Sequence, residues 1–116
     1  MNAERPVLQA LRDQLAAFRE GAGSDVDILV DLNFNFKTEG FLKVARAIEP
    51  FDIFWVEIDT RDAKALAYIR QGTHVPVASC ECLFGRRDYR PYQGSHCQVS
   101  RGILLALCPA SRPVSP

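Results

Sequence analysis

Asp27-Ile28-Leu29-Val30-Asp31-Leu32-Asn33 decides the reading of this chain, because two later stretches repeat its plan of a short apolar run that ends on a carboxylate. The second copy is Phe51-Asp52-Ile53-Phe54-Trp55-Val56-Glu57 and the third is Val75-Pro76-Val77-Ala78-Ser79-Cys80-Glu81. Asp31, Glu57 and Glu81 close the three runs at intervals of 26 and 24 residues (57−31 and 81−57). That is the length of a strand, a helix and two short loops, so the spacing predicts three consecutive βα units. In a parallel sheet or barrel the C-terminal strand ends share one face, where the three carboxylates can converge. Three oxygen ligands together suit a hard divalent cation.

The segments between these runs fit helices. Residues 6–19 put Val7, Leu8, Leu11, Leu15 and Phe18 on one face, and Gly21 and Gly23 end that helix. Thr38 is placed to cap a second helix carrying Phe41, Leu42, Ala45 and Ile48, which Glu49-Pro50 stops. Thr60 is placed to cap a third, in which Ala63, Leu66, Ala67 and Arg70 recur three or four apart before Gly72. Strands are expected near 26–32, 52–57 and 75–80, with Pro76 near a strand start, where the missing donor is tolerated best. Ile28-Leu29-Val30 lacks alternation, as a strand buried on both faces does. Phe54 and Trp55 read most simply as core.

With 116 residues, 47% hydrophobic and 24% charged, and zero formal net charge, the composition is that of a globular segment of one domain. Nothing in that balance points to nucleic acid or an acidic membrane. No window has the length of a membrane span and the first residues hold no apolar signal core, so a cytoplasmic address is expected. Cys80, Cys82, Cys97 and Cys108 lack the spacing of a zinc knuckle and read as reduced, unpaired thiols. From Tyr89 onward no acidic residue occurs, although all fourteen precede it, and proline crowds the end. Residues 1–92 therefore read as the α/β unit and 93–116 as an irregular, frame-altered tail, in which His96 beside Cys97 is most simply a loop pair.

Val30-Asp31-Leu32-Asn33, Phe54-Trp55-Val56-Glu57 and Ala78-Ser79-Cys80-Glu81, in that order and at those intervals, resemble the three metal-ligand segments of the enolase superfamily. The branch they resemble most is the mandelate racemase and muconate lactonizing enzyme group. The resemblance covers about residues 1–92. It implies a partial (β/α)8 TIM-type barrel in which the three strands here are the third to fifth, parallel, with flanking helices. It also implies Mg²⁺ held by Asp31, Glu57 and Glu81, and a small carboxylate acid as substrate of a racemase, cycloisomerase or sugar-acid dehydratase that forms an enolate. The sequence departs from the group at Ile58-Asp59, where an acidic or amide residue and then proline are common. No residue here matches the group's general bases, and Lys37, Lys43 and His74 are not assigned that role. The resemblance thus implies a fragment that is inactive as this chain alone, with strand edges open to self-association.

Two other readings of the same residues stand beside it. One is a small non-catalytic α/β binding or assembly module in which the carboxylates act as caps. The other is a receiver-like domain, disfavoured because such domains cluster their carboxylates more tightly in sequence. Asn33 serves either the metal surroundings or an Asx turn. Arg86 and Arg87 either face an anionic substrate or are simply solvated.

Overall fold

A computed structural model of the chain describes residues 2–92. The expectations for residues 93–116, including His96, Cys97 and Cys108, lie outside the described residues. The elements are α1 (Arg5–Ala22), β1 (Ile28–Asp31), α2 (Thr38–Ile48), a 3-10 turn (Glu49–Phe51), β2 (Ile53–Glu57), α3 (Ala63–Gln71), β3 (Val77–Ala78), α4 (Gly85–Tyr89) and a second 3-10 turn (Arg90–Tyr92). The strands form one sheet in the order β1-β2-β3, and both pairings are parallel. This is the expected αβαβαβ arrangement, with strands shorter than expected and one further helix.

The local chemistry explains the boundaries. Pro6 stands in the first turn of α1, where its missing N–H has no helical partner to lose. Gly23 closes the helix at φ 76°, a conformation that costs glycine little, and its N–H bonds back to the Arg19 carbonyl at 3.0 Å. Two caps differ from expectation. Thr38 is already helical, with Lys37 as the N-cap and no side-chain cap bond. Asp62, not Thr60, caps α3: its Oδ1 accepts from the Lys64 and Ala65 N–H groups, while the Thr60 hydroxyl accepts from the Asp62 N–H. A carboxylate satisfies two orphan donors of the first turn at once, which a hydroxyl two residues earlier cannot reach.

The core lies between the sheet and its helices. Val44, Ala45 and Ile48 of α2, Val56 of β2, Ile58 just beyond it, and Leu66 and Ile69 of α3 are all fully buried. Each large apolar side chain buried this way contributes roughly 1.5–3 kcal/mol. α2 packs against both α1 and α3, so the helices form a single layer. Two expectations fail for the same reason. β1 is not buried on both faces: it alternates, with Leu29 48% exposed, and Phe54 and Trp55 are only half-buried. One face of the sheet is covered by helices and the other is open among the described residues. Phe18 is likewise exposed, because α1 lies at the end of the helical layer, against α2 and the Glu49–Phe51 turn.

One side chain ties the layer to the sheet in a way the helical pattern hides. The Arg19 guanidinium donates from Nε to the Phe51 carbonyl (3.2 Å), from Nη1 to those of Gly23 (2.9 Å) and Val26 (2.7 Å), and from Nη2 to that of Asp52 (2.7 Å). It joins the end of α1 to the entries of β1 and β2.

Candidate functional site

Pairing between β1 and β2 steps from Ile28↔Ile53 to Leu29↔Trp55, which leaves Phe54 as one extra residue on β2. After this bulge the register is Val30↔Val56 and Asp31↔Glu57. Val30 and Val56 face the helices, so the period of two puts Asp31 and Glu57 side by side on the open face, at the C-terminal end of the sheet. The ladder continues past the strands: Leu32 N–H bonds to the Glu57 carbonyl, Ile58 N–H to that of Ala78 and Asp59 N–H to that of Asn33. These bonds lock the loops that follow the three strands to one another.

Beyond β3, Cys80 adopts φ 85° and its carbonyl accepts from the Leu83 N–H at 3.1 Å, forming a tight turn with Glu81 and Cys82 at its centre. The turn returns Glu81 to the same end of the sheet. Asp31 is exposed, Glu57 half-buried and Glu81 exposed. Asp31 also folds an Asx turn, its Oδ1 accepting from the N–H of Asn33, which sits at φ 47°.

These groups act on one another electrostatically. Burial, and then the charges of Asp31 and Glu81, push the Glu57 carboxyl above its ordinary value. Asp59 is affected more: burial first, then Glu81, Glu57 and Asp31, push it up to about 6, with a hydrogen bond shared with Glu81. Two carboxyl groups share such a bond only when one holds a proton, and in the ionised state the buried Asp59 Oδ2 has no donor. Among the described residues, the donors that close within 4.8 Å of one another are those of Asp59, Glu81 and Cys82. Asp31 and Glu57 stand outside that closest group.

The sequence-predicted set is thus found at one end of the sheet, with two neighbours it did not include. The Glu57-Ile58-Asp59 alternation was the available signal for Asp59, since residues two apart along an extended chain share a face. Cys82 gave no signal beyond adjacency to Glu81. Arg86 and Arg87 are exposed on α4. His74 lies at the opposite end of the sheet, in a depression with Asp27, Glu49 and Asp52. Lys37 borders a cleft beside Asp59 with Phe34, Phe36 and Arg61.

A hard dication fits Asp31, Glu57 and Glu81, because it offsets the burial and the like charges that raise Glu57 and because all three offer only oxygen. Among the described residues no helix is long and apolar enough to cross a membrane.

Comparison with known proteins agrees with this architecture. Residues 1–99 match the model of the enolase C-terminal domain-like family. Over 60 residues the chain is 37% identical to 3,6-anhydro-alpha-L-galactonate cycloisomerase of Streptomyces coelicolor, covering 52% of this chain and 17% of that protein. It is 28% identical over 78 residues to L-talarate/galactarate dehydratase of Salmonella typhimurium, covering 66% and 20%. A protein of Burkholderia xenovorans described as an L-alanine-DL-glutamate epimerase, bound to magnesium and fumarate, superposes with TM-score 0.75 at 53% identity, over 77% of this chain and 22% of the other. The chain therefore spans about a fifth of the length of these relatives. Its three parallel strands and flanking helices are part of an enolase-superfamily barrel. The chain belongs to the enolase C-terminal domain-like family.

Proposed function

We propose that this chain carries the metal-holding part of a Mg²⁺-dependent enzyme of the enolase superfamily, a racemase, cycloisomerase or sugar-acid dehydratase acting on a small carboxylate acid. Asp31, Glu57 and Glu81 are the metal ligands. The observation that carries this reading is the in-register pair Asp31↔Glu57 on the open face, with Glu81 near enough to raise the Glu57 proton affinity. When bound, Mg²⁺ would supply positive charge against the negative charge that develops when a proton is removed next to a carboxylate. The chain's own part is to orient the three carboxylates. The linked loops after β1, β2 and β3 hold their backbones in register, and the helix-covered face beneath them is rigidly packed. A neutral substrate carbon also needs a positioned base; His74 lies at the opposite end of the sheet, and no residue here matches the group's general bases. We infer that the 116 residues alone bind the cation weakly and do not turn substrate over.

The test is incubation of the purified chain with Mg²⁺ and a panel of α-hydroxy and sugar acids in D₂O, with α-proton exchange followed by NMR. No exchange above that of an Asp31→Asn, Glu57→Gln double variant is expected. Exchange that depends on these two carboxylates would show that the 116 residues contain a base and would refute the inactive reading.

A further inference from the structure

Asn33 bonds with its backbone in two directions at once. Its N–H donates to Asp31 Oδ1 at 2.8 Å, and its carbonyl accepts from the Asp59 N–H at 3.2 Å. The two backbone dihedrals of a residue set the angle between its N–H and its carbonyl, and Asn33 reaches both partners at φ 47°, in the left-handed region. Asn33 and Phe34 are the central residues of a turn closed by the Asn35 N–H on the Leu32 carbonyl at 3.2 Å. Leu32 anchors that turn from below, since it is buried and its N–H donates to the Glu57 carbonyl at 2.9 Å. A turn with positive φ at its first central position takes glycine, asparagine or aspartate readily and other side chains at a cost. The Asn33 side chain itself is exposed.

We propose that Asn33 is a positioning residue for the metal centre, and that it acts through its left-handed backbone and not through its amide side chain. Asp31 is exposed at the end of β1, where packing does not choose among its rotamers. The Asn33 N–H makes that choice by holding Oδ1, and Oδ2 is left as the oxygen for a cation. The role rests on the reading of Asp31 as a Mg²⁺ ligand. A ligand already fixed loses no rotamer freedom when the cation arrives, and a site whose competent arrangement is only partly populated binds more weakly by that fraction. Alanine at position 33 favours negative φ, which turns the N–H and the carbonyl away from one of their two partners. Glycine keeps the left-handed backbone without strain and removes only the amide.

The test uses the full chain, Asn33→Gly and Asn33→Ala, with two readouts. Without metal, three-bond NMR couplings about the Asp31 Cα–Cβ bond are expected to show one rotamer in the unaltered chain and in Asn33→Gly, and averaged rotamers in Asn33→Ala. In a Mg²⁺ titration followed at the Asp31 carboxyl carbon, Asn33→Gly should bind within about twofold of the unaltered chain and Asn33→Ala about threefold or more weakly. Gly72→Ala, which disturbs the packing of α2 on α3 far from this end of the sheet, should leave the Mg²⁺ affinity unchanged, so that a general loss of stability is told apart from lost orientation. Averaged Asp31 rotamers in the unaltered chain would overturn the proposal with no variant needed. So would a single rotamer kept in Asn33→Ala, or an equal loss of affinity in Asn33→Gly, which would assign the effect to the amide. Rotamers that behave as expected while no variant and not the unaltered chain binds Mg²⁺ would refute the ligand assignment and uphold the orienting role of Asn33.

Discussion

Asp31 and Glu57 are direct register partners at the ends of adjacent parallel strands, so two acidic side chains leave the same face of the sheet side by side. Like charges opposite each other on neighbouring strands destabilise a sheet. Their placement is a functional cost in the metal-free chain, and they add to the burial and the Glu81 charge that raise the neighbouring Asp59.

The sign of the pH dependence follows. Asp59 holds its proton more tightly when folded, at about 6, than the ordinary 3.8, so the folded chain binds more protons between those values. The metal-free chain is therefore expected to gain stability as pH falls through 6, with the gain complete only below the unfolded value of 3.8. Denaturant unfolding at pH 7 and pH 5 without metal checks it. Asp59→Asn should stabilise the chain at pH 7 and flatten the gain.

Below that range Glu49 acts in the opposite direction. The His74 N–H and the Thr73 hydroxyl, both donating to its Oε1 at 2.9 Å, hold its carboxyl below the ordinary 4.5. Its contribution is present above the unfolded value and is lost as pH falls through the lowered folded value. Glu49→Ala is expected to cost roughly 1–3 kcal/mol by removing the acceptor for the buried Thr73 hydroxyl, with Glu49→Gln costing less. Urea unfolding at neutral pH separates the two variants.

Arg19 should matter more than an exposed helical arginine ordinarily does. Arg19→Ala removes donors to four carbonyls that join α1 to the entries of β1 and β2, with an expected loss of about 2–3 kcal/mol. Arg19→Lys should recover only part, because a single ammonium cannot span the same fork. Denaturation midpoints of the two variants measure this.

Gly72→Ala probes the packing of α2 on α3. An added Cβ would stand 2.6 Å from Cδ1 and 3.1 Å from Cδ2 of the buried Leu42, so that side chain must shift. The backbone at Gly72 (φ −90°) suits alanine, and the expected loss, about 1–3 kcal/mol, is therefore a packing cost. Thermal unfolding of the variant checks it.

The strands and their terminal carboxylates were legible because both signals are local: a short apolar run, then an acid, at the interval of one βα unit. The openness of the inner sheet face was not, because an apolar run such as Ile28-Leu29-Val30 encodes a strand that other elements can cover and not whether they do so. Leu29, Phe54 and Trp55 consequently lie more exposed than their types suggest. The caps misread as Thr38 and Thr60 fell one or two residues from the true ones: α2 begins after Lys37 with no side-chain cap at all, and at α3 both Thr60 and Asp62 offer an acceptor near the first turn. The Arg19 fork, the Cys80 turn and the approach of Asp59 to Glu81 and Cys82 are long-range or φ-dependent, and no residue pattern announces them.

The central claim is that Asp31, Glu57 and Glu81 hold Mg²⁺. Its most direct test is a Mg²⁺ titration of the purified chain followed through the side-chain carboxyl carbon resonances by NMR. Saturable shifts at Asp31, Glu57 and Glu81, reached only at high Mg²⁺ concentration and abolished in the Asp31→Asn, Glu57→Gln variant, are the predicted result. Saturable Mg²⁺ binding that leaves the Asp31 and Glu57 signals unmoved, or that persists undiminished in that variant, would contradict it.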